Sequence, residues 1–295
     1  MRRLVIVLAG LLAGCGDDRE GMVLMLDPSL SAEIVLDNAD GISAPDGLLW
    51  HAGTLYVADE GGSAVRAWTP GRPVRTLADG KDGFSSPEDL VRDARGNLYV
   101  TDDDTGGVWR VSPGGQVNAL PHAAVARSTE GLVLSPDGSL LVGDQQAQRL
   151  LAIGPDRGAD VVLGRERGVR KPESLAFDGR GNLYIADNAD NVLYRLGGDG
   201  TLSRVVADRE GFSPESLHFA GGELYITDSD HGVLYRYSER DGLAAIAVFT
   251  GDLFNVQGIT SDGAGNLFVS VQSDLDNRRG YVVRLKRGRS REEGA

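Results

Sequence analysis

Short apolar runs alternate with clusters of turn-forming residues along most of the chain. Between residues 172 and 196, three apolar runs rich in β-forming residues are separated by two polar clusters, at 178–182 and 187–191. Apolar runs bounded by Gly, Asn and Asp predict β-strands joined by tight turns. A weaker fourth apolar run follows, so this stretch predicts four short antiparallel strands.

The same stretch recurs along the chain, and one acidic position fixes its register. This inner column recurs every 42 or 43 residues, at Asp46, Glu88, Glu130, Glu173 and Glu215, with Gln257 in the sixth place. An outer column keeps step with it at Asp59, Asp102, Asp144, Asp187 and Asp228, with Val271 in the sixth place. Two columns in step over six copies indicate six structural repeats.

Four short strands in each of six repeats of about 40–45 residues predict an all-β fold, a six-bladed β-propeller of four-stranded blades. The sixth repeat supplies only three strands, whereas residues 33–36 form an apolar run with no blade before them. We therefore expect residues 33–36 to pair with residues 281–285 and complete the last blade. This closure leaves no open sheet edge between the first and last blades.

The N-terminus has the pattern of an export signal. Two arginines precede an apolar run at 4–12, which is too short to span a bilayer, and Leu-Ala-Gly-Cys follows at 12–15. This tetrapeptide resembles the bacterial lipoprotein box and implies lipidation of Cys15, with export to the cell envelope and acyl chains as the membrane link. An ordinary secretory signal with an incidental Cys is the alternative. The predicted segments are a signal peptide at 1–14, a tether at 15–31, the propeller at 32–286 and a polar tail at 287–295.

Composition and charge exclude some classes of partner. Cys15 is the single cysteine, so the body of the protein has no disulfide. The chain carries 43 acidic and 30 Lys and Arg residues, a formal net charge of −13. So acidic a protein will not bind nucleic acid by counterion release, and anionic lipid surfaces repel it.

The repeat places both acidic columns on one face of the propeller. The first strand of each blade lines the central channel, and the second strand returns to the face where the first began. The inner column should therefore surround the channel mouth, where close carboxylates raise one another's pKa. A divalent cation, calcium above all, would relieve this repulsion through oxygen ligands from Asp46, Glu88, Glu130, Glu173 and Glu215.

Other arrangements of the acidic residues remain open. Basic residues in the loops that enter the mouth could pair with the ring instead, and these are Lys81, Arg127, Arg170, Lys171 and Arg209. Hydration with some protons retained is a further possibility. For the outer column we expect structural caps, because an Asp at a strand end commonly accepts hydrogen bonds from the next turn. His218, three residues after Glu215, is expected to be a buried core residue rather than a ligand.

The repeat sequence also resembles two known families. Pro-Glu-Ser-Leu at 172–175 and Gly-Asn-Leu-Tyr-Ile-Ala-Asp at 181–187 resemble the NHL repeat and the gluconolactonase/senescence-marker (regucalcin-like) propellers, over residues 42–285. The second resemblance implies a divalent ion at the mouth, with ligands at Asp46, Glu130, Glu173 and Glu215. This chain has Glu where that family typically has Asn.

Three functions are compatible with these observations. The first is a non-enzymatic binding or docking module held near the membrane, with a cation at its mouth and a protein or small-molecule partner on that face. The alternative is a metal-dependent hydrolase of a lactone or ester, as the gluconolactonase resemblance implies. A lyase, as in some related propellers, comes third.

Overall fold

The computed structural model describes residues 22–121, 126–154, 158–207, 209–273 and 279–288. The signal peptide, Cys15 and most of the predicted tail lie outside these residues. Within the described residues, no helix is long and apolar enough to cross a membrane.

Six antiparallel sheets form the six predicted blades. The strands of blades 1 to 3 are β3 (Pro45–His51), β4 (Thr54–Asp59), β5 (Ala64–Trp68), β6 (Arg75–Ala78), β7 (Pro87–Arg92), β8 (Leu98–Asp102), β9 (Gly107–Val111), β10 (Val117–Ala119), β11 (Thr129–Leu134), β12 (Leu140–Asp144), β13 (Arg149–Ile153) and β14 (Ala159–Gly164). The strands of blades 4 to 6 are β15 (Pro172–Phe177), β16 (Leu183–Asp187), β17 (Val192–Leu196), β18 (Leu202–Val206), β19 (Pro214–Ala220), β20 (Glu223–Asp228), β21 (Val233–Ser238), β22 (Gly242–Phe249), β23 (Asn255–Ser261), β24 (Leu267–Gln272) and β25 (Gly280–Arg287).

Short 3-10 helices lie in four of the connections between blades and in the turn between β4 and β5 inside blade 1. They span Asn38–Asp40, Glu60–Gly62, Gly80–Asp82, Arg165–Arg167 and Gly251–Leu253. The turns inside the blades follow the sequence as predicted: Asp178 accepts hydrogen bonds from the backbone N–H groups of Arg180 and Asn182. Gly181 in the same turn has a φ of 83°. Only glycine adopts this left-handed conformation without steric cost, which explains its place between two strands.

The N-terminal strand closes the ring, as the sequence predicted. Strand β2 (Leu30–Leu36) pairs antiparallel with β25 and places Glu33 opposite Arg284 and Ile34 opposite Val283. The Glu33 carboxylate forms an ion pair with Arg284 at 3.0 Å and a second one with Lys286. Blade 6 therefore consists of β23, β24 and β25 from the C-terminal part of the chain and β2 from the N-terminal part.

The second half of the predicted tether contains strands instead of an irregular segment. Strand β1 (Val23–Met25) pairs with β22 and adds a fifth, outermost strand to blade 5. Val23 lies opposite Phe249, and Thr250 donates two hydrogen bonds to the Met22 carbonyl. A three-residue strand outside the repeat leaves no periodic signal in the sequence, so a tether was the expectation for these residues.

Apolar side chains pack between neighbouring blades rather than in one central core. Tyr184 of blade 4, for example, packs against Tyr237 and Ile226 of blade 5. The two tyrosine rings meet edge to face with centroids 6.2 Å apart. The channel between the blades is thus left to polar residues, and these form the site described next.

Candidate metal centre at the channel mouth

The backbone of every blade is irregular where its inner-column residue lies. In blade 1 the pairing of β3 with β4 shifts register between Pro45 and Leu48, around Asp46. Equivalent shifts occur in the other five blades, between Pro87/Leu90, Thr129/Leu132, Pro172/Ser174, Pro214/Leu217 and Val256/Ile259. A β-bulge takes a residue out of the regular ladder and re-aims its side chain. Six bulges at one level explain how all the inner-column side chains reach the channel.

The structure brings the five inner-column carboxylates together. Asp46, Glu88, Glu130, Glu173 and Glu215 line one cavity of about 20 Å³. A cavity needs roughly 10–15 Å³ to hold one water molecule, so this space accommodates about one ion or water. We call these five residues the acidic ring.

Close contacts between blades hold the ring in place. A Cβ atom at Gly47 would collide with the Glu88 carbonyl oxygen, and one at Gly258 with the Asp46 carbonyl oxygen, so the first strands approach backbone to backbone there. Where the equivalent residue has a side chain, that side chain makes the contact. Asp89 accepts a hydrogen bond from the Leu132 N–H at 3.0 Å. The first strands are therefore fixed to one another around the channel.

Burial and mutual repulsion disfavour the ionised form of the ring. Desolvation, followed by repulsion from other carboxylates, raises the pKa of Asp46, Glu88 and Glu130 well above the ordinary range. The pKa of Glu173 rises to about 7 because of burial and then of Glu215. Burial also raises the pKa of Glu215. The ring therefore holds protons at neutral pH unless a positive charge enters it.

Of the five basic residues that the sequence places in the loops at the mouth, one contacts the ring. The Lys171 ammonium forms an ion pair with Glu173. Burial acts to lower the pKa of Lys171, but the Glu173 carboxylate outweighs this effect and raises it. Arg170 pairs with Asp190 at 3.3 Å, and Arg209 lies over the Tyr235 ring.

The other two basic residues do not neutralise the ring. Among the described residues, neither Lys81 nor Arg127 forms an ion pair with a ring carboxylate. The ring is thus salt-bridged at one of its five carboxylates, so cation binding and pairing with lysine are not exclusive alternatives.

A second set of polar residues at the mouth was missed from sequence. It follows the outer column by one residue and consists of Glu60, Asp103, Gln145, Asn188, Ser229 and Gln272. Gln145 donates a hydrogen bond to Glu173 at 2.5 Å, and Asn188 donates one to Glu215 at 3.3 Å. The sequence does contain a signal for this set, because the position after the outer column is polar in all six repeats. Amides thus support the ring in blades 3 and 4, whereas blades 1 and 2 add further carboxylates.

The carboxylates of blades 1 and 2 form the tightest oxygen cluster. One oxygen each from Asp46, Glu60 and Glu88 lies within 4.8 Å of the others. Hard divalent cations such as calcium prefer carboxylate oxygen, supplemented by water or ligand oxygens. The donor chemistry, the charge and the size of the cavity all fit such an ion.

The outer column has the structural role predicted for it. All five aspartates are buried. Asp102 accepts hydrogen bonds from the backbone N–H groups of Ser85 and Ser86 on one side and from Thr105 on the other. Asp59 adds an ion pair with Arg66 at 3.0 Å. These residues anchor the loops that enter the mouth and are not part of the acidic ring.

His218 is half-buried, whereas the sequence predicted a fully buried core residue. Its Nε2 atom hydrogen-bonds the Ser261 hydroxyl at 2.8 Å. Burial lowers the pKa of His218 to about 4, so the imidazole is neutral at physiological pH.

The raised carboxyl pKa values predict an unusual pH dependence of stability. The pKa of Glu173 is about 7 in the folded protein against 4.5 in the unfolded chain. Between these values the folded state binds more protons, so the free energy of unfolding of the metal-free protein should fall as pH rises from about 4.5 to 7. Glu173 alone contributes about 3 kcal/mol to this loss.

Urea unfolding with a chelator between pH 5 and 8 measures this pH dependence. The Glu173→Gln variant should show a shallower decline over the same range. A free energy of unfolding that increases with pH across this window would contradict the expectation.

Comparisons with known proteins identify the fold. No protein-family model and no curated protein matches the sequence. Solved structures do match over most of the chain. A gluconolactonase from Xanthomonas campestris is 18% identical with a TM-score of 0.68, over 83% of this chain and 86% of that one.

Two further matches have other chemistries. A catalytically inactive virginiamycin B lyase from Staphylococcus aureus, solved with quinupristin, is 12% identical with a TM-score of 0.66, over 87% of this chain and 99% of that one. The PQQ-bound aldose sugar dehydrogenase from Streptomyces coelicolor is 16% identical with a TM-score of 0.63, over 88% and 100%. The resemblance to gluconolactonase-type propellers is thus confirmed at the level of the fold. Three different activities on one fold leave the function to the site.

Proposed function

We propose that this protein is a binding module that holds a divalent cation, calcium above all, at the mouth of the propeller channel. One observation carries the proposal: carboxylates from five blades line a single cavity of about 20 Å³, with one contacting ammonium, from Lys171. The ion would neutralise the acidic ring and order the mouth. A protein or small-molecule partner would bind on the surrounding face.

The size of the cavity favours binding over catalysis. The ring cavity accommodates about one ion or water, so a sugar-sized ligand would have to lie outside it. When bound, the ion supplies positive charge and coordination positions for oxygen atoms. The role of this chain's residues is to hold the ion through the ring and to present the polar set from Glu60 to Gln272 around it.

Isothermal titration calorimetry of chelator-treated protein tests the proposal. We expect calcium to bind with a stoichiometry near one ion per chain. Protons should be released as it binds, because the ring carboxylates must ionise to coordinate it. Repeating the titration in buffers of different ionisation enthalpy measures this release. Absence of binding at millimolar calcium and magnesium would exclude the proposal.

A metal-dependent lactone or ester hydrolase is the second candidate. The pKa of Glu173, about 7, favours it, because a carboxylate with this pKa can accept and return a proton at neutral pH. The fold shared with a gluconolactonase supports the same choice of substrate class. This candidate would be favoured if the calcium-loaded protein turns over gluconolactone and the Glu173→Gln variant does not. Calcium binding without turnover would favour the binding module.

We further propose that the protein is exported and lipid-anchored through Cys15, which lies outside the described residues. The purified membrane fraction should contain a chain that begins at Cys15 and carries acyl mass, as measured by intact mass spectrometry. The Cys15→Ala variant should move to the soluble fraction. An unmodified Cys15, or a Cys15→Ala variant that remains equally membrane-bound, would contradict lipidation.

A further inference from the structure

A basic pocket lies on blade 4, apart from the acidic ring. Its volume is about 480 Å³, and four arginines line it: Arg165, Arg167, Arg170 and Arg204. The whole chain has a net charge of −13, so a concentration of positive charge at one pocket runs against its general composition. No part of the proposed cation site uses these residues.

Neighbouring groups orient two of the four guanidinium groups. Arg167 donates a hydrogen bond to the Gly200 carbonyl at 2.9 Å, and Arg170 pairs with Asp190 at 3.3 Å. Tyr194 also lines the pocket, and its hydroxyl donates to the Gly168 carbonyl at 3.1 Å. A guanidinium has five N–H donors, so each arginine keeps donors for a ligand after making these contacts. These contacts hold Arg167 and Arg170 beside the pocket, and all four arginine side chains are exposed to a ligand.

The negative charges nearby do not balance the pocket. Asp190 is the one acidic residue among those that line it. Glu166 lies between two of the arginines in sequence, but its carboxylate folds back against Gly164. Asp187 is fully buried and accepts hydrogen bonds from the backbone N–H groups of Arg170 and Lys171. The pocket thus keeps an excess of positive charge.

We propose that this pocket binds a phosphate group. A guanidinium presents parallel N–H donors that match two oxygens of a phosphate or carboxylate. A carboxylate offers two oxygens and one negative charge, whereas a phosphate monoester offers three oxygens and nearly two negative charges. Four arginines and one aspartate line the pocket, and this excess of positive charge and N–H donors matches a phosphate monoester better than a carboxylate. The pocket also exceeds the size of the phosphate itself, so the ligand is a small molecule, or a lipid, that carries a terminal phosphate monoester.

Titration with inorganic phosphate tests this assignment. The full-length protein should bind phosphate in calorimetry at low ionic strength, and Arg165→Gln with Arg204→Gln should weaken binding at least tenfold. The matched control is Arg180→Gln with Arg240→Gln, which removes the same charge from two arginines whose side chains are 80% and 88% exposed. The control should bind phosphate like the wild type, and both double variants should melt at the wild-type temperature.

Two results would overturn the proposal. One is absence of phosphate binding by the wild type at about 5 mM phosphate. Even a weak site, with a Kd on the order of 1 mM, would be mostly occupied at this concentration. The other is equal loss of binding in both double variants, since this would show a general charge effect. A version with Arg165→Lys and Arg204→Lys keeps the charge but loses the planar donor pairs, and it should bind more weakly than the wild type.

A second arm distinguishes the two sources of phosphate. The full-length Cys15→Ser variant, which cannot be acylated, is sedimented with vesicles that contain phosphatidic acid, whose phosphate is a monoester, and with phosphatidylcholine vesicles. If the protein sediments with the anionic vesicles and the Arg165/Arg204 double variant does not, the ligand is a lipid headgroup. Phosphate binding without vesicle binding identifies a soluble phosphorylated ligand. Either result is independent of calcium at the acidic ring.

Discussion

Removal of residues 16–38 is expected to abolish the cooperative melting of the propeller at temperatures where the intact chain stays folded. The deletion takes away β2, whose Leu30 is buried in the core between blades 5 and 6 and whose Leu36 is buried in the core between blades 6 and 1. Burial of each large aliphatic side chain contributes about 1.5–3 kcal/mol, and domains have about 5–15 kcal/mol in total. The exposed edge of β25 should also promote association between chains.

A shorter deletion, of residues 16–27, provides the control. It removes β1 from the outer edge of blade 5 but leaves β2 to close the ring. Thermal melting followed by circular dichroism, with size-exclusion chromatography for association, compares the two. The shorter deletion should melt cooperatively at a moderately lower temperature. If the longer deletion melts like the shorter one, closure by β2 does not hold the ring together.

Calcium should raise the melting temperature, and neutralising Asp46 and Glu88 should remove this effect. A ligand present at a hundredfold excess over its Kd adds about 2.7 kcal/mol to stability, which corresponds to roughly 5–10 °C for a domain of this size. Asp46→Asn with Glu88→Gln removes the negative charge of two of the three clustered carboxylates and leaves neutral amide oxygens in their place. It also removes two buried, mutually repelling carboxylates. The metal-free double variant should therefore be more stable than the metal-free wild type at pH 8.

Asp160→Asn with Asp241→Asn is the matched control for charge. Both aspartates are exposed and lie away from the mouth, in β14 and in the turn after β21. This control should keep the full calcium response. Loss of the response in both double variants would indicate general charge screening. A wild type whose melting temperature does not respond to calcium would leave protons and Lys171 as the partners of the ring.

The sequence by itself determined the number of blades, their strands and the closure by residues 33–36. The physical reason is that each blade contacts mainly its neighbours, so a period of 42 or 43 residues repeats one local structure around an axis. A column in the sequence then becomes a ring in space. This is why the inner column could be placed at the mouth and the outer column assigned to turn caps without coordinates.

Only the tertiary structure decided which groups meet at each position of the rings. Lys171 reaches Glu173, Arg170 turns instead to Asp190, and Glu60 joins Asp46 and Glu88. The burial that raises the ring pKa values, the extra strand β1 and the arginine pocket also depend on contacts outside the repeat. Such contacts follow from side-chain direction and from the packing of non-equivalent loops. A column of polar positions, such as the one that contains Glu60, does not specify which partners its members meet.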